Sequence, residues 1–214
     1  MWAALKSPLL IGADLRKLTP ATLTILNNPA VIAISQDPLG QSVNQIRRDT
    51  EGLKKDKYGM GETQVWSGHL WGGDQVVIPL NAADEDVEMT ASLEEIFYSD
   101  GPEGSAEAVH QAWDVYDLWA NRMDSAAAQK ILDVDENMEA FESLLKEVNW
   151  YNATEVSYKD GLKVEDRRLL GKLVQAIKAE GVLRVLVKRH SVEMFRLKIP
   201  EAEVKSYSSS KDEL

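Results

Sequence analysis

Beyond Gly40 the apolar positions fall in short runs that alternate with polar ones. In "DVEMTASLEE", Val87, Met89, Ala91 and Leu93 alternate with Glu88, Thr90, Ser92 and Glu94. A period of two with one wet face predicts an antiparallel strand. Leu183, Val185 and Val187 repeat the pattern against Arg184 and Lys188. Further strand-sized runs, "TQVWSGHL", "DQVVIPLNA", "AWDVYDLWA" and "EMFRLKIP", are separated by turn signals. Together they predict a mainly β fold, an antiparallel sandwich or Greek key, over residues 41–200.

The first forty residues follow a different pattern. "PLLIGADL" is a continuous apolar run, as expected of a strand buried on both faces. In "LTPATLTILNNP", Thr19 is a candidate helix cap, Pro20 stands at the first helical position, and "NNP" ends the helix. Leu23, Leu26 and Ile25 are its candidate buried face. "WAALK" reads as the last turn of a preceding helix. Helix, buried strand and helix in succession are expected of a parallel α/β sheet, so a domain boundary is placed near residues 38–45. Helical spacing recurs in "MEAFESLLKEV", through Met138, Phe141, Leu145 and Val148. It recurs again in "EDRRLLGKLVQAIKAEG", where Gly171 and the valine also permit a strand.

Composition narrows the function classes. The 214 residues are 44% hydrophobic and 28% charged, enough for a substantial core. No stretch approaches the roughly 18 apolar residues of a membrane-spanning helix. A net charge of -11, with no basic cluster, opposes nucleic-acid binding. There is no cysteine, hence no disulfide framework and no thiolate metal site. His69, His110 and His190 are far apart and form no ligand-spaced cluster, so neither metal nor cofactor is expected. The glycines of "YGMGE" and "WGGDQ" lack a following Gly-Lys-Ser/Thr and are read as turns.

Two motifs concern the compartment. Residues Lys211, Asp212, Glu213 and Leu214 spell a retrieval signal of the endoplasmic reticulum, following the serine-rich "SYSSS" of a flexible tail, 201–214. Asn152, Ala153 and Thr154 form an N-glycosylation acceptor. Both point to the secretory lumen, and the first to a retrieval receptor as partner. The apolar residues at the N-terminus are interrupted by Lys6, Ser7 and Pro8, with no basic region before them, and do not fit a signal peptide. Entry to the lumen therefore implies an upstream segment.

"WAALKSPLLIGADLRKL" and "VIAISQDPLG" resemble the end of the catalytic barrel of α-galactosidases of glycoside hydrolase family 27, the fungal enzymes in particular. "VWSGHLWGGDQVVIPLNA", "WDVYDLWA", "YNATEVSYKDGL", "LLGK" and "KRHSVEMFRL" resemble that family's C-terminal β-sandwich, in the same order. The resemblance runs from about residue 2 to residue 198 and is weakest over 133–148. It implies that residues 1–40 are a remnant, the last strand and helix, of a (β/α)8 barrel. It favours a strand in the segment containing Gly171. His69 stands where the family pattern has proline.

A retaining glycosidase uses two carboxyl groups about 5 to 5.5 Å apart, one a nucleophile and one an acid. In the family both are aspartates, in motifs of the type "KYDNC" and "DPDML", and neither motif occurs here. The expectation is a C-terminal portion of an α-galactosidase-like hydrolase that is inactive as this chain, with no catalytic residue assigned. An α-galactoside would be the substrate of the full-length family. Asp14, after the barrel strand, is read as a cap, and Asp114 and Asp117 differ in strand parity and cannot converge. The alternative is a non-catalytic lumenal module for carbohydrate binding or docking. Trp66, Trp113, Trp119 and Trp150 are read as core, whereas Trp71, beside Gly72 in a turn, is the candidate sugar contact.

Overall fold

The computed structural model describes residues 1–98, 107–134 and 138–200. The retrieval motif Lys211–Leu214 and the serine-rich tail lie outside the described residues. The chain divides into two compact units. One comprises Met1, Gln41–Asp117 and the chain from Leu173 onward; the other comprises Trp2–Gly40 and Leu118–Lys172.

The first unit is built from antiparallel sheets. Strands β1 (Asn44–Asp49), β2 (Thr63–His69), β3 (Gln75–Asn81), β5 (Trp113–Asp117), β6 (Lys172–Ile177), β8 (Ser191–Val192) and β9 (Phe195–Lys198) form a seven-stranded sheet. Its order is β1-β2-β3-β9-β5-β6, with β8 paired to β3. Strands β4 (Val87–Ser92) and β7 (Val182–Val187) form a second, two-stranded sheet in register from Val87↔Val187 to Ser92↔Val182. The inward residues of both sheets share one core. Val65 and Val77 of the large sheet pack in it with Met89, Ala91, Leu183 and Val187 of the small one. This is a sandwich-like, sheet-rich fold, as the alternating pattern predicts. Within that core Phe97 stacks on Trp113 at 4.8 Å, and the buried Trp113 indole donates to the Ala108 carbonyl at 2.8 Å. Burial of such rings contributes a few kcal/mol each, about 2 to 3 by area.

The second unit is helical. Helix Pro20–Leu26 is capped by Thr19, whose hydroxyl accepts from the Thr22 N–H. Helix Pro29–Ser35 follows directly, capped by Asn28. The "NNP" triplet therefore ends one helix and starts another, because Asn28 supplies the cap and Pro29 the first helical residue. Helices Ser125–Asp133, Met138–Glu147, Tyr158–Lys163 and Arg167–Leu170 complete the unit. Met123, Ala128 and Ile131 form a core with Leu23, Phe141, Leu145, Val148 and Trp150 against it. Ala4, Ala30, Ala33 and Ile34 are fully enclosed.

Four expectations are corrected. Residues 8–14 form no strand, and Leu10 and Ile11 are 77% and 54% exposed. A parallel strand requires neighbours that bond its edges, and no described strand lies alongside this one. The expected remnant of a last strand and helix is thus represented by its helices. Second, "WAALK" is a turn rather than a helix end. Third, the helix Pro20–Leu26 buries Thr24, while Ile25 is 51% exposed and Leu26 is also exposed. Fourth, the ambiguous segment is neither all helix nor all strand. Leu169 and Leu170 end a short helix, and Leu173, Val174 and Ile177 lie on β6. Gly171 makes the switch at φ 88° and ψ -159°, a conformation open to glycine alone.

Candidate functional site

Several acidic residues among those described are held in ion pairs. Asp14 caps the 3-10 turn Leu15–Lys17 and pairs with Arg16 at 2.9 Å. The Arg16 side-chain bonds hold its carboxyl below the usual range. Asp84 bonds Lys54 and Arg189, each at 3.2 Å, and Asp86 bonds Lys188 at 2.8 Å. Hydrogen bonds from Lys54 and from Lys188 lower these two carboxyls. Asp166 is lowered in the same way by Arg168. A general acid needs the opposite, a carboxyl raised toward neutrality.

Asp74 is raised, but in a different setting. It is 6% exposed, and burial pushes its carboxyl up while the Arg196 and Lys198 charges pull against that. Arg196 donates to it at 2.8 Å and Lys198 at 3.4 Å. A carboxylate enclosed between two cations on β9 serves the sheet and presents no oxygen to a substrate. Asp114 and Asp117 lie opposite Lys198 and Phe195 on β9, and their odd separation puts them on opposite faces of β5.

The histidines are dispersed. His69 ends β2 opposite Gln75, His110 faces Glu180 at 3.1 Å, and His190 faces Asp84 at 3.5 Å. No group of three metal-ligating side chains occurs among the described residues. Trp71 begins the 3-10 turn Trp71–Gly73 joining β2 to β3 and is 37% exposed. Gly72 and Gly73 both have φ above 80°, which fixes glycine at that turn.

The helical unit carries a cleft of about 660 Å³. Its apolar side consists of Leu145, Val148 and Trp150, and Glu142, Lys146 and Arg168 supply charge. The sequence leads to this arrangement locally. Helix Met138–Glu147 repeats apolar residues at helical spacing, which turns Phe141 and Leu145 inward. Trp150 meets Phe141 edge to face at 6.3 Å. Arg168 forks onto Asp166, donates to the Trp150 carbonyl at 3.2 Å, and lies over the Tyr151 ring at 5.0 Å. Asn152 and Glu155 border the same cleft. Asn152 donates to Glu155 at 2.8 Å, and the Thr154 hydroxyl donates to the Asn152 amide oxygen at 2.7 Å. Sequence reasoning placed Trp150 in a core, against which it does pack, and overlooked Arg168. The aromatic pair immediately before the acceptor triplet, "WYNAT", was the available signal.

Fold and geometry define a β-sandwich domain with an attached helical unit and no assembled catalytic pair among its described residues. The profile of the α-galactosidase C-terminal β-sandwich domain matches residues 60–145. The chain is 43% identical over 198 residues to an α-galactosidase of Saccharomyces paradoxus, and 44% identical over 202 residues to α-galactosidase 2 of Saccharomyces cerevisiae. Each match takes in 92% of this chain and 40% of the relative. The solved structure of an α-galactosidase from Saccharomyces cerevisiae with raffinose superposes with a TM-score of 0.83 at 39% identity, covering 93% of this chain and 42% of that one. The chain is thus closely related to the yeast α-galactosidases of glycoside hydrolase family 27 and corresponds to their C-terminal part. It spans about 40% of the length of the curated relatives it matches.

Proposed function

We propose that this chain is the non-catalytic C-terminal part of an α-galactosidase-type hydrolase whose full-length form removes terminal α-galactosyl residues with retention of configuration. The observation that carries the reading is the match to 40% of such enzymes by a sequence with neither family aspartate motif. The low-titrating, cation-paired carboxylates described above agree with it. So does the exposed apolar surface of Leu10, Ile11 and Leu15, which suits cover by the rest of such an enzyme. Purified chain incubated with p-nitrophenyl α-galactoside should release no nitrophenol above the buffer rate. Turnover that scales with chain concentration overturns the assignment.

A second reading, a carbohydrate-binding or docking module, is favoured by Trp71, with its half-open ring in a glycine turn. Saturable melibiose binding lost on Trp71→Ala would select it. The terminal Lys-Asp-Glu-Leu supports residence in the endoplasmic reticulum lumen through a retrieval receptor. Given a signal peptide, the chain should stay in the cell and be secreted when Leu214 is removed.

A further inference from the structure

We propose that the cleft of the helical unit binds a neutral pyranose, with the Trp150 ring as its stacking wall. The cleft measures about 660 Å³, within the size range of small-molecule sites. Trp150 is half-buried, and Val148 and Leu145 extend its apolar side. The ring is held by its neighbours. Phe141 meets it edge to face at 6.3 Å, and Arg168 donates to the Trp150 carbonyl at 3.2 Å. An aromatic side chain held in place this way offers a flat face at little further cost in entropy.

The polar groups of the cleft are of two kinds. Arg168 is committed to Asp166 and to the Trp150 carbonyl, and Asn152 donates to Glu155 at 2.8 Å. Glu142, Lys146 and the Trp150 indole N–H, by contrast, have no hydrogen-bond or ion-pair partner among the described residues. Glu142 and Lys146 stand four apart on the helix Met138–Glu147, the spacing at which opposite charges attract along a helix. They stay unpaired and line the cleft, which leaves one acceptor and two donors open beside an aromatic wall. The carboxylates Glu142 and Glu155 balance the cations Lys146 and Arg168, so the cleft favours neither an anion nor a cation. A pyranose meets the whole set. Its C–H face covers the indole, and its hydroxyls donate to Glu142 and accept from Lys146.

This rests on the carbohydrate-binding reading above and moves its contact from Trp71 to Trp150. Full chain made in bacteria is titrated by calorimetry with methyl α-galactoside, methyl α-glucoside and melibiose. At least one should bind saturably, with an affinity unchanged by added salt because the ligand is uncharged. Trp150→Ala should weaken that binding about three- to tenfold, the factor for one aromatic contact. Glu142→Gln, at an exposed helix position where the fold is not at stake, should weaken it about threefold or more. Unaltered binding in these two variants overturns the site in the cleft. If that binding is instead lost in Trp71→Ala, the carbohydrate-binding reading stands at Trp71 alone. No saturable binding of any of the three sugars overturns both.

Discussion

At the scale of single residues, the most consequential polar contact is the enclosed Asp74–Arg196 pair. Both side chains are under a tenth exposed, so removal of one leaves a charge that the interior solvates poorly. Arg196→Met should lower unfolding free energy by about 3 kcal/mol in urea melts. Lys198→Met, at 3.4 Å and nearer solvent, should cost about 1 kcal/mol or less. Equal losses would show that the two cations share the carboxylate. Tyr158 gives a pH prediction. Burial, with Tyr151 beside it at 4.9 Å, pushes its phenol up to about 12. Because the folded value lies above the unfolded one near 10, the contribution to stability is complete below pH 10 and is lost as pH rises toward 12. Absorbance titration at 295 nm should show a late-titrating tyrosine component that diminishes in Tyr158→Phe. The sequence indicates neither value, because both depend on what covers the side chain.

Elements were legible where a local rule was strong. Strict alternation identified β4 and β7, and the Thr19–Pro20 start of the first helix follows from capping chemistry alone. Elements whose stability comes from elsewhere were not legible. Strand β1, "NQIRRD", has no alternating face; it is held by its register with β2, through a bulge at Ile46. "PLLIGADL" has the composition of a buried strand but lacks the partners. The Asn27–Asn28 pair was read as a stop, although Asn28 is fully enclosed. It caps Ala30 and Val31 and donates to the Leu118 carbonyl at 2.8 Å. Asn28→Ala should therefore cost about 2 kcal/mol, more than an ordinary surface cap, since it also leaves a buried carbonyl unpaired. Gly171→Ala should cost about 1 to 3 kcal/mol, as alanine has no well at that φ and ψ. Thermal melts of both variants check this, and a Gly171→Ala protein as stable as the parent would show that β6 can shift to relieve the strain.

At the scale of the whole molecule, residues 2–40 are part of a unit with residues 118–172. Ala30, Ala33 and Ile34 belong to its interior, and the helix Pro20–Leu26 packs on the helix Ser125–Asp133. Deletion of residues 1–40 should strip that unit of part of its core, with loss of helical circular dichroism and rapid proteolysis within 118–172. A deletion variant that keeps protection there would show that the later helices fold alone. The sequence by itself determined the alternating strands β4 and β7, the Thr19–Pro20 helix start, the family resemblance and the lack of both aspartate motifs. Each of these is written in local period, in side-chain chemistry at a fixed offset, or in the motifs themselves. Only the tertiary structure decided that the apolar N-terminal run stays unpaired, that Asp74 is enclosed between two cations, and that Trp150, Arg168 and Asn152 border one cleft. Those facts depend on neighbours distant in the chain, and burial and hydrogen-bond partners exist only once those neighbours are in place.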